Sequence, residues 1–129
     1  MTVPTNGGFA EMAKHATGTG TPLRFTYIAV GEGSGQVATD TALDDEVTGS
    51  GLARVTAGAI STVQTTVADD TASWVHTFTA TGTKAITEAG IFNASSGGDM
   101  LIVGAVSPTA SMVSGDTLTL TMKCQVKAD

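Results

Sequence analysis

Thr117-Leu118-Thr119-Leu120-Thr121-Met122-Lys123-Cys124-Gln125-Val126 is the stretch that decides the fold of this chain. Leu118, Leu120, Met122, Cys124 and Val126 alternate without a break with Thr119, Thr121, Lys123 and Gln125. A strict period of two sends one set of side chains into a core and the other into water, the mark of a half-buried β-strand. Upstream, residues 73–80 repeat the pattern, with Trp74, His76 and Phe78 set against Val75, Thr77 and Thr79. Residues 23–30 predict a strand with apolar groups on both faces, and residues 52–63 a long strand of small residues bent near Gly58. Residues 84–86 and 88–92 read as two short strands or one with an irregular middle. Residues 93–99 form a hairpin loop, and 100–106 an apolar strand that Pro108 is expected to end. About seven or eight strands at this spacing predict an all-β fold, an antiparallel β-sandwich of jelly-roll or Ig-like type.

The start of the chain differs. Pro4 and Asn6-Gly7-Gly8 give an extended entry and a turn, after which Phe9, Met12, Ala13 and Ala16 follow helical spacing. One or two helical turns are predicted, closed by Gly18 or Gly20. The expected organisation is an N-terminal arm with a short helix over 1–21 and a sandwich over 22–129. So short a helix is marginal alone and needs a surface to lie on. A further single helical turn is expected over 40–47, where Leu43 and Val47 stand four apart and Asp40 or Thr41 caps it.

With 129 residues the chain has the size of one domain. Such a chain buries roughly two thirds of its unfolded surface, enough for a core without metal or disulfide support. Thr suits the solvent face of a sheet because its branched Cβ fits the pleat. The net charge is −6, and the six basic residues (Lys14, Arg24, Arg54, Lys84, Lys123, Lys127) are scattered. No basic stripe marks a nucleic-acid partner, and no polybasic run or long apolar segment marks a membrane partner. The single cysteine, Cys124, falls on the apolar face of the last strand and reads as a small core hydrophobe. The first residues lack the charged start and apolar run of a signal peptide, so synthesis in a cytoplasm is expected.

The chemical inventory is thin. Gly31, Gly33 and Gly35 follow a strand, but Gln36-Val37-Ala38 comes next, with neither the lysine of a phosphate loop nor the helix of a dinucleotide site. That leaves a flexible surface loop. His15 and His76 lie far apart and in no ligand spacing. Asp44-Asp45-Glu46, Asp69-Asp70 and Asp99 match no calcium loop and read as solvated turns. No catalytic residue, cofactor or metal ligand is predicted. Two charges stand out because they sit among apolar groups, Arg54 and Glu88. A buried charge is costly unless paired. Glu88 is therefore expected to pair with Arg54, or with backbone N–H donors at the kink formed by Ala89 and Gly90.

Four segments together carry a family resemblance. They are Phe25-Thr26-Tyr27-Ile28-Ala29-Val30-Gly31-Glu32-Gly33; Thr41-Ala42-Leu43 through Glu46 to Ala53-Arg54; Thr87-Glu88-Ala89-Gly90-Ile91-Phe92-Asn93 with Gly97-Gly98-Asp99-Met100-Leu101; and Gly115-Asp116-Thr117-Leu118-Thr119-Leu120. This order resembles small virion structural proteins of tailed bacteriophages, in particular β-sandwich capsid decoration (cement) proteins. It is also similar to the N-terminal modules of phage tail-collar fibre proteins. The resemblance implies a non-enzymatic homo-oligomer, a trimer favoured, that docks on the major capsid protein or other virion proteins. Decoration of the outer head surface is the main expectation. A tail, collar or baseplate fibre component is the alternative, and a carbohydrate-binding sandwich a more distant one. The arm residues Val3, Pro4, Phe9 and Met12 are the expected contacts for docking or exchange between neighbours. The loops at 31–35 and 93–99 are second choices.

Overall fold

Ile28, Ala29 and Val30 are all completely buried although they are consecutive in one strand. Neighbours on a strand point to opposite faces, so the sheet that holds them is covered on both sides. The computed structural model, which describes residues 2–127, shows how. Eight strands and one helix follow in the order β1 (Thr2–Pro4), α1 (Asn6–Thr17), β2 (Tyr27–Gly31), β3 (Val55–Thr56), β4 (Ala59–Val63), β5 (Thr71–Thr79), β6 (Lys84–Phe92), β7 (Met100–Met112) and β8 (Thr117–Gln125). A five-stranded sheet runs β1-β7-β6-β2-β3, and a three-stranded sheet runs β4-β5-β8. Every pairing is antiparallel.

The two sheets pack face to face. Ile28, Val30, Ile91 and Ile102 of the large sheet meet Trp74, Phe78, Met122 and Cys124 of the small one in a single core cluster. The other face of the large sheet carries Ala29, Phe92, Met100 and Val103, and Leu43 from the long 32–54 connection closes over them. Both faces of β2 are apolar for this reason. In β8 the alternation holds as far as Cys124: Met122 and Cys124 are buried, and Thr119, Thr121 and Lys123 are exposed, whereas Val126, read as part of the buried face, lies beyond the strand and is exposed. Burial pushes the Cys124 thiol above its usual pKa, which keeps it protonated and unreactive.

Four sequence readings change. First, the strand expected over 23–30 begins only at Tyr27. The carbonyl of Phe25 accepts from Trp74 Nε1 at 2.7 Å, and that of Leu23 lies 3.1 Å from His15 Nε2, so side chains take the groups a ladder would use. Second, residues 52–63 are two strands in different sheets. The chain crosses between them at Ala57-Gly58, where Ala57 N donates to Thr26 O and Gly58 N to His76 Nδ1. Third, residues 40–47 contain turns and no helix. Fourth, β7 continues past Pro108 to Met112. The register jumps from Glu88↔Ala105 to Ile86↔Ala110, so residues 106–109 face no partner in β6. Proline's missing N–H therefore costs no ladder bond. The pair of segments 84–86 and 88–92 is a single strand with its irregularity at Thr87.

The N-terminal helix has three turns, longer than predicted, and its anchor is Thr5. Thr5 is fully buried; its N donates to Leu101 O at 2.9 Å and its hydroxyl donates to Met100 O and caps Gly8 N at 2.9 Å. Gly8 is required by contact: a Cβ there would stand 2.6 Å from Leu101 O. Gly18 closes the helix in the left-handed conformation, at φ 67°. Thr5→Ala removes the cap and strands a buried carbonyl, so it is expected to destabilise by about 2 kcal/mol. Urea unfolding checks this, with Thr5→Ser restoring most of the loss. Among the described residues no helix is long and apolar enough to cross a membrane.

Candidate functional site

Residues from three of the four segments that carried the resemblance come together on the large sheet and the loops against it. Glu88 lies in the middle of β6, opposite Gly31 of β2, with 1 % of its surface exposed. Its carboxylate accepts three backbone N–H bonds: Gly33 at 2.9 Å, Asp44 at 3.1 Å and Asp45 at 2.9 Å. The loop after β2 and the acidic turn thus share one anchor. Thr87 Oγ1 donates to Gly33 O at 2.6 Å, and Glu32 N to Asp45 O at 2.9 Å. A side chain on Gly31 or Gly33 would collide with the Glu88 carboxylate, which explains both glycines. The run from Gly31 to Gly35 is tethered at its centre, unlike the free loop that the sequence suggested.

Arg54 does not meet Glu88. The long connection carries it to Glu46, where Nε and Nη2 donate to the two carboxylate oxygens at 3.0 and 2.6 Å. Its Nη1 donates to the carbonyls of Ala94 and Gly97 at 3.1 and 2.8 Å, and its guanidinium lies 3.6 Å from the centre of the Phe92 ring. The Arg54 side chain is 7 % exposed. The expected Arg54–Glu88 ion pair is therefore replaced by two separate fastenings. The donors to Glu88 also come from other loops, not from Ala89 and Gly90. In physical terms, a carboxylate facing three converging N–H groups has no need of a cation. Arg54's planar fork offers enough donors to serve a carboxylate and two carbonyls at once.

A third fastening sits beside these. Glu32 accepts from Ala85 N at 2.9 Å and from Lys84 Nζ at 3.3 Å. The Ala85 N–H first, and Lys84 second, hold its carboxyl below the usual range. Of the acidic turn, Asp44 and Asp45 face water as read, whereas Glu46 is the partner of Arg54. Sequence reasoning missed Glu46 because it closes a solvated run; its one signal was its place between Leu43 and Arg54 in the segment that carries the resemblance. A groove lined by Glu46, Arg54, Ser95, Ser96 and Gly97 opens here. The charged groups in it are already bonded to each other or to backbone, so the groove offers no free ion to a ligand.

The arm residues divide. Val3 and Pro4 belong to β1, pair with Val103 and Ile102 of β7, and are half-buried. Met12 packs against the main core. Phe9 projects from α1 and is 54 % exposed. Trp74 is buried and its Nε1 is bonded to Phe25 O, so no face of it is free to stack on a sugar. His76 packs edge-on against Phe78, ring centres 4.6 Å apart. Among the described residues no three His, Cys, Asp or Glu side chains come together as a metal site needs.

Glu88, Glu46, Arg54 and Glu32 are spent on holding loops to the sheet, an arrangement that fixes shape. No curated protein matches the chain. A comparison with protein families matches residues 10–126 to the family described as Podophage GP4 fiber I protein gp80. The match spans all four segments quoted above. It is a fibre family, so the expectation of a head-decoration protein gives way to the alternative, a fibre component. The chain belongs to the gp80 family of podophage GP4 fiber I proteins, virion structural proteins of the phage fibre.

Proposed function

We propose that this protein is a non-enzymatic joining module of the fibre, which works by docking a rigid sandwich onto other virion proteins through its N-terminal arm. The observation that carries the fibre reading is the family match over residues 10–126, and the exposure of Phe9 supports the arm as its docking surface. The three fastenings at the loop end support it. They use charge to fix loop geometry and leave no group poised for bond-making chemistry.

Phe9 is the anchor of the docking surface. An aromatic side chain half out of water on a helix is a poor monomer surface and a good hot spot. Val3, Pro4 and Met12 support it from below by fixing the arm on β7 and the core. Placing Phe9 in a partner's pocket contributes about 2 kcal/mol by area alone, before association costs.

Phe9→Lys is expected to leave the fold and melting temperature unchanged and to lower incorporation into particles at least tenfold. Complementation of a phage lacking the wild-type gene, followed by quantitation of the protein in purified virions, reads this. Wild-type incorporation of the variant would remove the arm from the docking surface.

A further inference from the structure

An apolar cavity of about 280 Å³ opens between α1, the segment that leads into β2, and the small sheet. The two bonds that shorten β2 also build this cavity. Trp74 Nε1 donates to Phe25 O at 2.7 Å, and His15 Nε2 donates to Leu23 O at 3.1 Å, since a carbonyl can only accept. The segment is thereby tied to the core at one point and to α1 at another, and it stands as a wall. The cavity is formed before any ligand enters it.

Its lining is graded by burial. Trp74 and Cys124 are buried and form the floor. Met12, Phe25 and Ala72 are half-buried and form the sides. Val126 stands at the mouth with 64 % of its surface exposed. A water molecule needs two or more polar partners to be held in such a space, and these side chains offer few, so an apolar group is the better occupant. An apolar cavity of about 150 Å³ already takes up benzene, and this one is larger.

Charge at the mouth decides the class of ligand. Acidic residues outnumber basic ones in this chain by 12 to 6. Here the balance is reversed: Arg24 and His15 border the cavity, and among the described residues no Asp or Glu does. Arg24 is exposed, and among the described residues no carboxylate stands within ion-pair distance of it. An apolar pocket with a single unpaired guanidinium at its edge matches an apolar chain that ends in an anion. The planar fork of arginine suits a carboxylate, which it can hold through two parallel N–H bonds. We infer that this cavity binds a medium-chain carboxylate, with the alkyl chain lying over Trp74 and the head group on Arg24. His15 holds the wall, and Arg24 holds the ligand. The inference stands on the cavity and its charge and is separate from the fibre reading.

Trp74 is the only tryptophan in the chain, so its emission reports on the cavity directly. Titration of the full chain with octanoate, kept below the concentration at which it forms micelles, tests the inference. A saturable change in Trp74 emission and in the Met12 and Ala72 methyl resonances is expected. Octylammonium carries the same chain with the opposite charge and is expected to bind at least tenfold more weakly. Arg24→Glu is expected to reverse that order. Ala72→Leu fills the cavity and is expected to abolish both responses. Arg24 is exposed, so its variant decides the matter even if Ala72→Leu fails to fold. No saturable response to octanoate overturns the inference. So does equal binding of the two probes by the wild type, or octanoate binding that Arg24→Glu leaves unchanged. Each result is independent of virion incorporation, which tests the fibre reading.

Discussion

Replacing Glu88 by alanine is expected to destabilise this protein by about 4 kcal/mol, more than any other single polar change. The side chain is buried and accepts from Gly33, Asp44 and Asp45. Alanine removes the shared acceptor of all three N–H groups at a position where the side chain is almost fully buried. Each stranded donor costs about 1–3 kcal/mol, offset in part by relaxation of the loops. The melting temperature is expected to fall by more than about 10 °C for a chain of this size. Amide exchange adds a local reading: Gly33, Asp44 and Asp45 lose protection first, because the loops detach before the sheets open. Glu88→Gln separates shape from charge. Its carbonyl serves two of the donors while its amide faces the third, so about half of the loss returns. A melting temperature for Glu88→Ala within about 3 °C of the wild type would show that the carboxylate is not the anchor.

Arg54→Ala ranks second, with an expected cost of about 3 kcal/mol. It removes both bonds to Glu46, both bonds to the carbonyls of Ala94 and Gly97, and the contact with Phe92. Glu46 is still 21 % exposed at its side chain, so water recovers part of the loss. Arg54→Lys is the sharper variant. It keeps the charge but gives up the planar fork and most of the ring contact, and it is expected to recover less than a third. Denaturant unfolding of both, with Phe92→Leu to isolate the stacking, checks the ranking. Equal stability of Arg54→Lys and the wild type would reduce the site to simple charge pairing.

Fold class was legible because hydrophobic period is a local property. In β8 each residue reports its own face, and the structure repeats that report from Leu118 to Cys124. Element boundaries were less legible where distant side chains compete for backbone groups. Trp74 and His15 truncate β2 from 49 and 8 residues away. Glu88 takes the N–H groups of Asp44 and Asp45, and residues 40–47 form turns. The site was half legible. Glu88 and Arg54 stood out as charges among apolar neighbours, and both are largely buried at the side chain. Their partners did not stand out, because Gly33, Asp44 and Asp45 act through main-chain N–H groups that every residue but proline has. Location was the least legible property. Nothing in a strand pattern separates a protein that sits on a shell from one built into a fibre.

Electron cryomicroscopy of purified particles, compared with particles lacking this protein, tests the account most directly. The account predicts density of this sandwich at the fibre, in copy numbers that match fibres, missing only from the mutant particles. Density spread over the head at capsid copy number, or no density on the virion at all, would contradict it.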